Sequence, residues 1–86
     1  MPELSRFYGI SIRMYFADHA PPHFHALYGE EEVVIDIRRL AIIRGNFSPR
    51  AFGLLMEWAS IHQDDLLTAW DQAVKAQAPM KIAPLA

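Results

Sequence analysis

Residues 18–29 organise the chain, and they read Asp18-His19-Ala20-Pro21-Pro22-His23-Phe24-His25-Ala26-Leu27-Tyr28-Gly29. Each proline ring fixes φ, and the residue before a proline is pushed out of the helical region, so the two prolines form a stiff connector. The residues from about His23 to Tyr28 alternate as in a β-strand, which places His23 and His25 on one face and Phe24 on the other. The stretch therefore predicts a strand that carries two imidazoles beside the carboxylate of Asp18.

Further strands are predicted on both sides of this one. Phe7 to Phe16 alternates with one wholly apolar face and is predicted as the first strand. Glu32 to Ile37 follows the short turn at Gly29-Glu30 and is predicted to form a hairpin with the histidine strand. Ala41 to Phe47 is predicted as a fourth strand, although Gly45-Asn46 interrupts its pattern. These strands together predict a four-stranded antiparallel meander.

A long helix is predicted to follow, beginning at Ser48-Pro49 with serine as the N-cap and proline at the first helical position. At about 100° per residue the apolar positions stay in phase to about Gln77, which favours one amphipathic helix packed on one face of the sheet. Its apolar face consists of Ala51, Leu55, Trp58, Ala59, His62, Leu66, Ala69 and Ala73. A break near Gln63-Asp64, giving two helices, is the alternative. The predicted fold class is α+β.

Length and composition limit the class of protein. The 86 residues are 52% hydrophobic, which predicts a single domain over residues 1–86 with its own core. There is no cysteine, so any metal site must use histidine and carboxylate ligands. We find no signal peptide and no apolar run of about 20 residues, so a cytoplasmic protein without membrane contact is expected. The net charge of −2 does not favour nucleic acid as a partner, although it does not exclude a local basic patch.

The charges are segregated along the chain, and this indicates a surface for a partner. Arg38, Arg39, Arg44 and Arg50 lie in a stretch without acidic residues, and an acidic stretch follows them. Several apolar side chains also flank the helix stripe and are expected to be partly exposed, as in a homodimer or partner surface. The predicted partner-binding residues are Leu54, Met56, Ile61, Leu67, Arg38, Arg39 and Arg44.

The histidine-rich stretch has two chemical interpretations and a structural one. As a metal site, it would use ligands from His19, His23, His25 and Asp18, a set that suits zinc, nickel or iron. As a metal-independent ribonuclease site, it would use His23 and His25 as acid and base, with Arg13 and Tyr15 on the mixed face of strand one. The structural interpretation is that the rings only pack over the open face of the sheet. His62, within the apolar helix face, is expected to be a core residue.

With these residues in view, the chain resembles a family of small bacterial proteins known as domain of unknown function 4160. The resemblance covers nearly the whole chain, and the string from Asp18 to His25 is its most distinctive part. The other matching segments are Ser5-Arg6-Phe7-Tyr8-Gly9-Ile10, Ile12-Arg13-Met14-Tyr15, Tyr28-Gly29, and Glu57-Trp58-Ala59 with His62.

The resemblance implies a partner rather than an activity. Similar proteins are often encoded beside a second small protein, a pairing that suggests a toxin–antitoxin-like module, and no catalytic role is attached to the family. The sequence is therefore interpreted as a protein-interaction component of such a module, with a second small protein or a second copy as its partner. The alternative is an enzyme, either a histidine-dependent ribonuclease or a metalloenzyme with a divalent cofactor such as zinc.

Overall fold

The protein, described here over residues 2–86 of a computed structural model, combines one antiparallel sheet with two helices. The α+β class is confirmed, but the sheet has five strands instead of the predicted four, and they are hydrogen-bonded in chain order. The strands are β1 (Glu3–Phe7), β2 (Ile10–Arg13), β3 (His23–Tyr28), β4 (Glu31–Asp36) and β5 (Ala41–Gly45). The helices are α1 (Pro49–Ile61) and α2 (Gln63–Val74).

The predicted first strand, Phe7 to Phe16, is wrong because the chain reverses at Tyr8-Gly9. Both residues have positive φ, 49° at Tyr8 and 82° at Gly9, and such a pair makes the tight turn of a two-residue hairpin. Phe7 consequently pairs with Ile10 across the turn. The apolar alternation continued through the turn and concealed it, since Ile10 and Ile12 are buried as expected whereas Tyr8 is 58% exposed.

The helical region is broken into two helices at His62, which makes the single long helix wrong and the alternative right. The acidic residues Asp64 and Asp65 lie in the first turn of α2, where negative charge stabilises a helix. The predicted apolar face is nevertheless buried on both sides of the break, with His62 as the exception. The side chain of His62 lies at the junction, at the border of the core, and is 18% exposed. Its ring packs against the buried Trp58 at a centroid distance of 5.5 Å, and its Nδ1 lies 3.7 Å from an Asp65 oxygen.

The core lies between the sheet and the two helices and is centred on Trp58. This side chain is fully buried, and its ring packs against Phe7 and Phe24 with centroid distances of 5.1 and 6.0 Å. Its indole N–H donates to the carbonyl of Ala83 at 2.8 Å, so the C-terminal segment also closes the core. On β3, the alternation that buries Phe24 and Ala26 turns His23 and His25 to the opposite face of the sheet.

Within residues 2–86, no helix has the length and apolar character needed to cross a membrane.

Candidate metal centre

An open cleft of about 660 Å³ lies over β3 on the face of the sheet opposite Phe24. The loop between β2 and β3 forms one wall, and this loop is fixed to α2 because the Ala17 N–H donates to the Ala73 carbonyl at 2.9 Å. β4 and β5 form the other wall. The lining residues are Tyr15, Asp18, His19, Ala20, Pro21, His23, His25, Glu32, Val34, Ile43 and Arg44.

His23 is held in one tautomer by the proline turn. Its Nδ1 lies 2.7 Å from the Pro21 carbonyl oxygen, and because a carbonyl only accepts, Nδ1 carries the proton. Its Nε2 lies 2.9 Å from Oδ2 of Asp18. Two acceptors would face each other there unless a second proton or a metal ion lies between Nε2 and the carboxylate. The ring also packs on Trp70, with centroids 5.0 Å apart, which limits its rotation.

His25 shows the same division between its two ring nitrogens. Nδ1 lies 3.1 Å from Oε2 of Glu32, and because a carboxylate only accepts, Nδ1–H donates the hydrogen bond. The residue is only 5% exposed, and its Nε2 is buried without a hydrogen-bond partner among the described residues. Tyr15 covers the ring edge-on at a centroid distance of 4.5 Å. A buried nitrogen lone pair without a partner is costly and is typical of a site for an ion or a water molecule.

Asp18, His23 and His25 bring one potential ligand atom each to within 4.8 Å of one another. Ligands at about 2.0–2.2 Å from a zinc ion lie roughly 3.3 Å apart in a tetrahedral site, so a small closure of the side chains would accommodate the ion. Each histidine also has its Nδ1–H bound to a carbonyl or a carboxylate, the usual way that ligating imidazoles are oriented.

The charge of the cleft suits a divalent cation. Partial desolvation raises the pKa of Asp18, but hydrogen bonds from the His19 backbone N–H and from His23 lower the pKa more, so the net shift is downward. The carboxylate therefore remains ionised near neutral pH. With neutral imidazoles, Asp18 and Glu32 bring two negative charges to the cleft and Arg44 brings one positive charge, so its lining carries a net charge of about −1 and attracts a cation.

The structure brings only some of the predicted site residues into the cluster. His19 lines the cleft but is exposed, and its side chain is not part of the cluster formed by Asp18, His23 and His25. Tyr15 contacts His25, as described above. Arg13 is the cross-strand neighbour of His25, but its Nε donates to Ser11 Oγ at 3.0 Å and it does not line the cleft.

Glu32 is the residue of the site that sequence reasoning missed, because it was assigned only to the start of the strand that follows the turn at Gly29-Glu30. The hairpin register pairs Leu27 with Glu32 and His25 with Val34. Glu32 is therefore on the same face as His25 and diagonal to it, within reach of a long side chain. The predicted turn at Gly29-Glu30 already implied this register, so the signal was present in the sequence.

Fold and cleft together define an α+β protein with a cluster of two histidines and one carboxylate. A family model described as Domain of unknown function (DUF4160) matches residues 9–71, which is well over half of the chain, and the protein belongs to this family. The matched region contains Asp18, His23 and His25. The comparisons with curated proteins and with solved structures found no match.

Proposed function

We propose that the protein binds a divalent transition metal through Asp18, His23 and His25. The observation that carries this proposal is the buried Nε2 of His25, which lacks a partner among residues 2–86. Both imidazoles bind an acceptor through Nδ1, so each Nε2 is directed to the site: that of His25 has no partner among residues 2–86, and that of His23 faces Asp18 Oδ2, where a metal ion would replace the proton between them. Two imidazoles and one carboxylate suit zinc or iron(II).

The proposed site is of the catalytic rather than the structural type. Three protein ligands leave at least one coordination position open, whereas structural zinc sites are closed by four. The open position would face the cleft, where water and a small substrate have access. A metal ion in such a site lowers the pKa of a bound water molecule and supplies a nucleophile at neutral pH. The proposed activity is therefore metal-assisted hydrolysis.

Isothermal titration calorimetry with Zn²⁺ tests the metal proposal. We expect one ion per chain for the wild type, and at least a hundredfold loss of affinity for His25→Ala and for the nearly isosteric Asp18→Asn. His62→Ala is the matched control and should bind as the wild type does, because His62 lies at the helix junction. His19→Ala tests whether His19, which the sequence prediction included among the ligands, also binds the ion. We expect little change in zinc affinity. Equal zinc binding by Asp18→Asn and the wild type would refute the site.

The metal-independent ribonuclease is the competing enzyme reading, and the structure supports it less well. The arginine predicted for it, Arg13, donates to Ser11 and lies outside the cleft, so a ribonuclease would have to use Arg44, which lines the cleft, instead. RNA cleavage by the chain in excess chelator, abolished by His23→Ala, would favour this reading over the metal proposal.

We further propose that the protein works in the cytoplasm of a bacterium as one component of a two-protein, toxin–antitoxin-like module. The support is a set of side chains that remain accessible: Ile61 is 64% exposed, and Arg38, Arg39 and Arg44 are all exposed. Leu54, Met56 and Leu67 pack against the core and are partly exposed, so each offers a smaller surface to a partner than Ile61 does.

Co-expression with the protein encoded beside the gene tests the module. We expect a stable complex of defined stoichiometry, and its retention by His25→Ala would show that the complex does not depend on this metal ligand. Separate elution of the two proteins at micromolar concentration would contradict the module and leave the metal proposal untouched.

A further inference from the structure

The two edges of the sheet differ in whether another segment of the chain covers them. At the β1 edge, the Ile82 N–H donates to the Leu4 carbonyl at 2.8 Å, and Lys81 Nζ donates to the Glu3 carbonyl at 2.6 Å. The C-terminal segment thus covers this edge. β5 forms the opposite edge and pairs only with β4 among the described residues. Every second residue of an edge strand presents an unpaired N–H and C=O, which is a template for another strand.

β5 is also unusually apolar for an open edge. All five of its residues are exposed, and Ile42 and Ile43 are 45% and 48% exposed. Edge strands are commonly protected by being short, twisted or covered, because an exposed apolar edge promotes association. The β4–β5 pairing has a bulge between Val34 and Ile35, where Ile43 is the extra residue of β5, but among the described residues no further strand pairs with the outer edge.

The charge around this edge identifies the chemistry of its partner. No acidic residue occurs between positions 37 and 56, whereas arginines occupy positions 38, 39, 44 and 50. Within residues 2–86, none of these four guanidinium groups forms an ion pair. The nearby Asp36 accepts hydrogen bonds from the backbone N–H groups of Arg38 and Arg39 and does not neutralise their side chains. The edge is therefore basic and lacks counter-charges of its own.

We propose that β5 binds an extended, acidic segment of a partner protein, which adds to the sheet as a sixth strand. The inference rests on the proposed two-protein module and names its binding mode. Main-chain hydrogen bonds to β5 would provide affinity, apolar side chains of the segment would cover Ile42 and Ile43, and its carboxylates would meet Arg38, Arg39 and Arg44.

Two other occupants fit the edge less well. A second copy of β5 would bring the arginines of both copies together, and like charges at a strand pair are destabilising. A nucleic acid would satisfy the arginines but would use neither the backbone edge nor the isoleucines. An acidic, apolar peptide uses all three features.

The chain itself supplies a suitable probe. The inner side of β5 pairs with β4, whose sequence Glu-Glu-Val-Val-Ile-Asp is acidic and apolar. A synthetic peptide with the sequence of residues 31–36 can be titrated into the ¹⁵N-labelled full chain. We expect amide shifts concentrated in residues 41–45 and weaker binding at higher salt, because exposed ion pairs are screened.

Two charge variants of the chain and one modified peptide make this titration decisive. Arg39→Glu should weaken binding at least fivefold, while Lys75→Glu, an identical charge change at the end of α2, should leave it within twofold. A peptide that is N-methylated at alternate residues cannot donate to β5, and it should not bind. Shifts concentrated outside residues 38–45, equal weakening by both charge variants, or tighter binding of a single-stranded oligoribonucleotide than of the peptide would overturn the proposal.

Co-purification with the protein encoded beside the gene distinguishes a failure of this inference from a failure of the module on which it rests. If β5 is the docking edge, Arg39→Glu combined with Ile42→Asp abolishes co-purification of the protein encoded beside the gene. Retention of that complex by the double variant would mean that the module exists and that β5 is not its interface. Failure of the wild-type pair to associate would remove the module itself.

Discussion

The two ring nitrogens of His25 have different surroundings, one bound to Glu32 and the other buried without a partner among the described residues. The sequence predicted that His23 and His25 share a face, because side chains alternate along a strand. It also placed Asp18 nearby through the two prolines. It could not choose between Asp18 and His19, since that choice depends on loop geometry that neither spacing nor composition determines.

The first prediction concerns Glu32, whose carboxylate orients the ring of His25 in the proposed metal site. Glu32→Gln keeps an acceptor for the Nδ1–H of His25 but removes a negative charge from the cleft. We expect the zinc affinity to fall about 10-fold, toward the lower end of the effect of such supporting residues. Calorimetry checks this, with Glu30→Gln at the tip of the same hairpin as the matched control. An unchanged affinity in Glu32→Gln would mean that the carboxylate does not support the site.

A second residue-scale prediction concerns Glu3, which is not among the residues that line the cleft. The Ser11 hydroxyl donates to Glu3 Oε2 at 2.6 Å and, together with Arg6, lowers the pKa of Glu3. A lowered pKa means that Glu3 contributes stability above the unfolded value of about 4.3, and that this stability is lost as the pH falls through the folded value. NMR titration of the carboxyl carbon should show this pKa rising in Ser11→Ala. No rise would mean that the hydroxyl is not the cause.

At the scale of elements, the sequence predicted the central hairpin best. β3 and the start of α1 lie where the pattern placed them, because prolines, the glycine turn and alternation all indicate the same boundaries. The β1–β2 turn was missed because Tyr8 is unusual at positive φ and the apolar period ran through it. The helix break was offered only as an alternative, since the buried face keeps its phase across His62.

Two glycines give opposite predictions when changed to alanine. Gly45 in β5 has a φ of 86°, and an added Cβ would overlap the Glu32 carbonyl and lie 3.1 Å from Val33 Cα. We expect Gly45→Ala to lower the free energy of unfolding by about 3 kcal/mol, from backbone strain and the close contact. Gly53 lies inside α1 with open space around its Cα, so Gly53→Ala should raise that free energy by about 1 kcal/mol. Urea denaturation measures both, and similar effects of the two changes would contradict this account.

At the scale of the whole molecule, the two ends of the chain meet outside the region that defines the family. The family match covers residues 9–71, whereas β1 and the C-terminal segment lie beyond it and hydrogen-bond to each other. The sequence offered no signal for this contact, because the segment after Pro79 has no periodicity. Only the tertiary structure shows that Ile82 is a core residue, 5% exposed.

Because of this contact, we expect a substitution at Ile82 to change the free energy of unfolding markedly. Ile82→Ala should lower the free energy of unfolding by about 2–4 kcal/mol, because it leaves a cavity beneath the segment that covers β1. Ile61→Ala removes the same atoms from an exposed position and should change it by about 0.5 kcal/mol or less. Equal values for the two variants in thermal or urea denaturation would show that the segment does not pack on the core.

The most direct test of the metal site is long-range ¹⁵N–¹H NMR of the imidazole nitrogens, recorded without and with one equivalent of Zn²⁺. The account predicts that Nδ1 of His23 and of His25 carries a proton in both samples. It further predicts that zinc shifts both Nε2 resonances while His19 and His62 keep theirs. Unchanged Nε2 resonances at stoichiometric zinc, or a shift at Nδ1 of His25 instead, would contradict the proposed centre.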